Sequence, residues 1–214
     1  MEGEAWAEYR RVVERAIADR ESAGTIPPGL IHYWQGHEPR FRMQVEMLER
    51  YLGHEVIHTV SDYGTEFPFA TLYLNVYREA WIHFAGLGDG RDVSPFVRFS
   101  RVNLCRPPGG DPQADLVWCS ECLEHLPCDI PRTMRWLASR ARRWLFLSFP
   151  LGGARAGDYE RDEPEKYASE HVREYTAETA DALVAGLGWP VVGMRDSGQP
   201  AYGAPIRNVL LRRP

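Results

Sequence analysis

Three groups of residues in this chain carry side chains able to do chemistry. The first is Cys119-x-x-Cys122-x-x-His125-x-x-Cys128, ligand-type residues at a constant spacing of three, with Cys105 upstream. Thiolates and imidazoles bind zinc, but structural zinc sites pair two knuckles separated by roughly a dozen residues or more, so that four ligands close a tetrahedron. A single contiguous stretch closes one poorly, and free cysteine is a common small apolar residue of buried strands. No metal and no disulfide framework are expected, and a reducing cytoplasm suits the chain. The second group is Val60-Ser61-Asp62-Tyr63-Gly64-Thr65-Glu66-Phe67-Pro68, which runs from a strand through one glycine into a helix. Backbone N–H groups and the helix dipole make such a turn a cradle for a nucleotide-sized ligand. The third group is the histidines, which titrate near neutrality and can accept a proton from a reacting hydroxyl.

The elements that must position these groups follow from periodicity. Residues 4–20 place Ala5, Tyr9, Val12, Val13, Ala16 and Ile17 at helical spacing. A run of breakers, Gly24 to Gly29, ends that helix, and a second is expected from Pro39 to Leu52. Strands are expected at Glu55–Tyr63, Ala80–Ala85, Phe96–Leu104, Asp115–Cys119, Arg143–Phe149, Val191–Arg195 and Ile206–Arg212. Helices are expected at Phe69–Arg78, Ile130–Arg142 and Ala177–Leu187. Strands alternating with helices imply an α/β fold with a mostly parallel sheet covered on both faces. The last two strands have no helix between them, so the sheet should end in an antiparallel edge hairpin. Residues 1–54 read as an N-terminal helical cap and 55–214 as the α/β domain. In such sheets ligands bind beyond the carboxyl ends of the strands.

One segment narrows the reading. Asp115-Leu116-Val117-Trp118-Cys119-Ser120-Glu121-Cys122-Leu123-Glu124-His125-Leu126-Pro127 resembles the "DLV-x-CSE-x-LEHLP" stretch of class I S-adenosylmethionine-dependent methyltransferases. Val60–Pro68 is similar to that family's glycine loop, and Val97–Leu104 to its third-strand motif. Leu145–Pro150 is similar to its fifth strand, and Glu170–Thr176 to the segment before its last helix. The resemblance covers about Val56 to Arg212 and implies a Rossmann-like methyltransferase fold with a seven-stranded sheet. It implies contacts to S-adenosylmethionine from Asp62, Gly64 and Thr65 after the first strand and from Asp89 after the second. It also implies contacts from Asn103 and Leu104 after the third strand, and from Cys119, Ser120 and Glu121 after the fourth. His125 and His171 are implied as candidate bases. The chain departs from the pattern where Glu66 and Pro68 replace two glycines, where Asp89 stands several residues late, and where Asn103 replaces an acid. These departures motivate a second reading, a non-catalytic module that keeps the fold for binding. His32, Tyr33 and Trp34 lie in the cap and would shape the acceptor pocket.

The 214 residues carry 25 Lys and Arg against 30 Asp and Glu, a net charge of −5 with Lys166 the only lysine. That balance argues against a broad nucleic-acid face. The 44% hydrophobic and 26% charged fractions exclude a wholly disordered chain. The longest apolar stretch, Trp144 to Ala154, falls short of the roughly 18 residues a membrane span requires. The acidic Met1-Glu2-Gly3-Glu4 is unlike a signal peptide. A small-molecule acceptor such as a sugar or secondary metabolite is expected, a hydroxyl before an amine. Gly152–Ala168, glycine-rich and then acidic, reads as a solvated loop or a lid.

Overall fold

The computed structural model describes residues 3–24, 29–65, 67–86, 92–109, 113–152, 157–158, 172–197 and 205–214. In chain order they form α1 (Gly3–Ser22), α2 (Leu30–Leu52), β1 (Thr59–Tyr63), α3 (Leu72–Arg78), β2 (Trp81–Gly86), β3 (Val97–Arg101) and β4 (Ala114–Cys119). A short 3-10 turn (Leu123–His125) leads to α4 (Ile130–Arg140) and β5 (Ala141–Pro150). β6 (Gly157–Asp158), β7 (Arg173–Glu174), α5 (Ala177–Ala185), β8 (Val191–Ser197) and β9 (Ile206–Arg212) follow. Most of the expected lid thus lies outside the described residues, as do Glu66, Asp89 and His171.

Seven strands form one sheet in the order β3-β2-β1-β4-β5-β9-β8, and β6 pairs with β7 in a separate two-stranded ribbon. The pairs β3·β2, β2·β1, β1·β4 and β4·β5 are parallel, whereas β9 is antiparallel to both β5 and β8. The expected α/β architecture with its antiparallel edge pair is what the chain adopts.

Side chains alternate across the strands with period two, and this sorts the core into two faces. Val60, Phe84, Trp118, Phe146 and Leu210 point toward α1, α2 and α3. Tyr63, Ala85, Val117, Cys119, Leu145, Leu147 and Val209 point toward α4 and α5. Register places Phe84, Asp62, Trp118, Phe146 and Leu210 side by side in one row. Trp118 and Phe146 stack with ring centroids 3.5 Å apart. α2 caps this row with Trp34, whose ring lies nearly parallel to Phe41 at 5.2 Å and to Phe69 at 5.6 Å.

The second helix begins nine residues before the expected Pro39, which sits inside α2. Proline removes one helical hydrogen bond and crowds the carbonyl four residues back, at a cost of about 3 kcal/mol. Trp34, Phe41, Val45, Leu48 and Leu52 recur at helical spacing and are all buried, so tertiary packing outweighs that local cost. Gly29, at φ 95°, turns the chain into the helix, a left-handed conformation that suits glycine.

A second departure concerns the cysteines. Cys105 and Cys128 form a disulfide with Cα atoms 5.6 Å apart, whereas no disulfide was expected. Twenty-three positions separate them in sequence. The loop after β3 lies against the start of α4, a proximity that sequence separation conceals. Cys119 and Cys122 are free and buried. Among the described residues, no helix is long and apolar enough to cross a membrane. Nor do three or more His, Cys, Asp or Glu side chains gather there in a group able to hold a metal ion.

Candidate functional site

Just beyond the aromatic row, at the carboxyl ends of the strands, the same face turns polar. Ser148 pairs in register with Asn208, and both are fully buried. Ser120 follows β4, and its hydroxyl lies 3.0 Å from that of Ser148. Gln44 reaches down from α2 to join the set. Its amide nitrogen donates to Ser120 Oγ at 2.8 Å and to Asn208 Oδ1 at 3.1 Å. The backbone N–H of Glu121 donates to Ser148 Oγ at 2.7 Å. This polar ladder ties α2 to three strands and holds Glu121 at φ 48°, a left-handed conformation uncommon outside glycine.

A cavity of about 80 Å³ opens above the ladder. Asp62, Gly64 and Thr65 supply its β1 side, and Ser120 and Glu121 its β4 side. Tyr33, Arg40 and Gln44 come from α2, while Phe67, Phe69 and Trp118 form apolar walls. Of the residues expected at the cofactor, the structure therefore brings five together: Asp62, Gly64, Thr65, Ser120 and Glu121. Gly64 has φ 87°, and a Cβ there would stand 2.2 Å from Cys122 Sγ, so only glycine fits between the β1 turn and Cys122. The N–H groups of Gly64 and Thr65 both donate to the Ala85 carbonyl, at 2.6 and 3.3 Å, which fastens the turn to β2.

The other expected residues are placed differently. Cys119 faces away from the cavity, toward the α4 side, and its hydrogen bond with Cys122, together with burial, pushes its thiol up. Asn103 is exposed, and its carboxamide oxygen accepts from the Cys105 N–H at 2.9 Å. Leu104 lines a separate cavity of about 550 Å³ walled by the disulfide, Thr133 and Trp136. His125 is half-buried in the turn after β4, with Nε2 3.8 Å from Glu124 Oε1, and is not part of the first cavity's wall. Of the cap residues expected near an acceptor, Tyr33 lines the cavity, Trp34 is buried behind it and His32 is exposed.

Arg40 and Gln44 were not anticipated. Arg40 is 3% exposed and forms an ion pair through Nη1 with Glu121 Oε2. Its Nη2 donates to Tyr33 Oη at 2.8 Å, and its guanidinium lies 4.5 Å from the Phe41 ring centroid. Tyr33, His37, Arg40 and Gln44 are spaced four, three and four apart, a helical stripe that emerges only once α2 extends through Pro39.

Electrostatics mark the same place. Asp62, in the aromatic row, is raised to about 7 by burial, with the Thr71 hydroxyl bond at 2.6 Å opposing the shift. Glu121 is also raised to about 7 by burial against the pull of Arg40. His37 is lowered to about 4 by burial and by Arg40, so its ring is neutral. Glu124 is buried with neither carboxylate oxygen hydrogen-bonded, and burial pushes it well up. Perturbed groups converging on one cleft are characteristic of functional sites.

No family model matches the chain, and no curated protein matches it. Solved structures do. The 1,6-didemethyltoxoflavin-N1-methyltransferase of Burkholderia thailandensis, solved with S-adenosylhomocysteine, is 16% identical with a TM-score of 0.64, over 97% of this chain and 89% of that one. The magnesium protoporphyrin IX methyltransferase of Synechocystis, solved with S-adenosylmethionine, is 16% identical with a TM-score of 0.63, over 96% and 97%. The [4+2]-cyclase SpnF is 13% identical with a TM-score of 0.62, over 81% and 80%. The chain therefore has the class I S-adenosylmethionine-dependent methyltransferase fold, and the third likeness is a reminder that a fold does not fix a reaction.

Proposed function

We propose that the protein is an S-adenosylmethionine-dependent methyltransferase acting on a small molecule. One observation carries the reading. Asp62, Gly64 and Thr65 meet Ser120 and Glu121 around a cavity whose buried Arg40 Nε, Gln44 Oε1 and Glu121 Oε1 have no hydrogen-bond partner. Buried polar atoms are normally satisfied, so this wall suits a ligand that carries both donors and acceptors, as an adenosyl sulfonium with an amino-acid end does.

When bound, that cofactor supplies an activated methyl group, and the protein has to align an acceptor and exclude water. Asp62 and Glu121 offer carboxylate acceptors, Gly64 allows close backbone approach, and the aromatic wall keeps the site dry. In this proposal Asp89 keeps its implied role of holding the ribose, whereas Asn103, Leu104 and Cys119 stand outside this cavity's wall and take no part in it. For a hydroxyl acceptor the bases to test are His125, acting across its neighbour Glu124, and His171. The cap of residues 1–54 serves as the acceptor-side wall, the acceptor is a sugar or secondary metabolite, and the setting is cytoplasmic.

A second reading, a binding module without catalysis, is favoured by one feature. The N–H groups of Gly64 and Thr65 are already engaged by the Ala85 carbonyl. Titration calorimetry with S-adenosylmethionine and S-adenosylhomocysteine is the test of cofactor binding. Binding that Gly64→Arg abolishes is expected. No heat and no thermal shift at millimolar ligand would sink the enzyme reading.

A further inference from the structure

We propose that the Cys105–Cys128 bridge is a thiol–disulfide exchange site for a small anionic thiol, which enters the cavity beside α4 and leaves its sulfur on Cys105. The bridge packs against the α4 and α5 side of the sheet, away from Asp62 and Glu121. The inference does not depend on the proposed function.

Access sets this pair apart from the other two cysteines. Cys119 and Cys122 are 0% and 6% exposed. Cys105 and Cys128 are only half-buried, and both line the cavity of about 550 Å³. That volume lies in the range of small-molecule sites, so a thiolate reaches the sulfurs without the fold opening. Arg106 and Arg132 stand on the same wall. Both are exposed, and neither guanidinium has a hydrogen bond or ion pair among the described residues. The carboxylate of that wall, Asp129, is committed to α4, where its Oδ1 accepts from the Arg132 N–H at 3.0 Å. Two free cations therefore face one engaged anion, and the cavity favours a negatively charged guest.

The same geometry gives the exchange a direction. Cys128 stands two residues before the start of α4, and it stays there once the bridge opens. A helix N-terminus stabilises a thiolate. Thr133 Oγ1 lies 3.7 Å from the Cys128 sulfur, within reach to donate to it. The thiol that is the better anion leaves faster. The incoming thiolate thus bonds to the Cys105 sulfur, the bond between Cys105 and Cys128 breaks, and its electron pair departs on Cys128. The product is a mixed disulfide on Cys105, with the guest's acid group beside Arg106 and Arg132. A second thiol then attacks the guest's sulfur and releases Cys105 and a small-molecule disulfide. Over both steps the bridge gains two electrons, two thiols are oxidised, and their protons pass to the two cysteines.

The test uses the full chain, purified without reductant, and two probes of opposite charge, 2-mercaptoethanesulfonate and cysteamine. Reactions are quenched with iodoacetamide and read by intact mass and peptide mapping. Each rate is divided by that of the same probe on the urea-unfolded chain, which removes the probe's own nucleophilicity. In the folded protein the anionic thiol should then be favoured about fivefold over the cationic one, the worth of two exposed charge pairs. Its first adduct should map to Cys105. In the double variant Arg106→Gln with Arg132→Gln, whose fold circular dichroism checks, that preference should vanish. Four results would overturn the proposal: no bridge in the purified protein, a bridge that reacts only in urea, a first adduct on Cys128, or the same probe preference in wild type and the double variant.

Discussion

The two faces of the sheet are built from different materials. Toward α1, α2 and α3 the core is dominated by rings, among them Trp6, Tyr9, Trp34, Phe84, Trp118 and Phe146. Toward α4 and α5 it is mostly aliphatic and sulfur-bearing, with Cys119, Cys122, Leu137, Leu145, Leu147 and Val184. Flat, rigid rings stack well in preferred geometries but do not flow into every gap. Aliphatic side chains interdigitate to crystal-like density. The ring face is where Asp62, Gln44, Arg40 and Glu121 surround a cavity. The aliphatic face supports the sheet from behind and is held by a disulfide.

The strongest way to break this contrast is to remove a ring. Trp118→Ala should destabilise the fold by about 3–5 kcal/mol in urea denaturation, exceeding Leu145→Ala by the stacking contribution of about 0.5–1.5 kcal/mol. An equal loss at the two sites would erase the distinction between the faces.

Protons probe the ring face next. Asp62 is raised to about 7 in the fold, above its unfolded value near 3.9. Between about pH 4 and pH 7 the native state keeps a proton that the unfolded chain has released. Its stabilising effect is therefore complete below pH 4, declines toward pH 7 and is flat above. Three pKa units correspond to a ceiling of about 4 kcal/mol. Asp62→Asn should flatten that part of the pH–stability curve measured by urea denaturation, and a curve unchanged by the substitution would place the proton elsewhere.

On the opposite face, opening the Cys105–Cys128 bridge by reductant or by Cys105→Ser should cost about 3 kcal/mol, the entropy of freeing a loop of this size. The ring-face cavity should keep its ligand affinity if the faces are independent. Smaller still, Asp129→Ala removes the side chain that caps α4 by accepting from the Arg132 N–H at 3.0 Å. The expected loss is about 1 kcal/mol in the same denaturation experiment.

Periodicity made most of the fold legible. β9 spans the expected Ile206–Arg212, and α4 begins at the expected Ile130. Asp62, Gly64, Thr65, Ser120 and Glu121 were named through the resemblance, and they line one cavity because strand order brings the ends of β1 and β4 together. Arg40 and Gln44 were not so named. Proline is normally a boundary signal, and Pro39 concealed the turns that align them with Tyr33. Burial of an arginine is likewise invisible in a chain of average composition. The disulfide was missed because sequence records spacing, whereas bond formation depends on where a loop folds back.

The insertion of β9 between β5 and β8 has a consequence for synthesis. Gln44 and Asn208 are 164 residues apart, yet they share one hydrogen bond in the polar ladder. At 5–20 residues per second, a ribosome takes about 8–33 s to deliver the second partner after the first. From the completion of β5 at Pro150 until β9 follows, the nascent chain carries α2 and a sheet whose β5 edge is unpaired. The polar ladder beneath the pocket is therefore completed late, and it depends on that edge being shielded while translation proceeds.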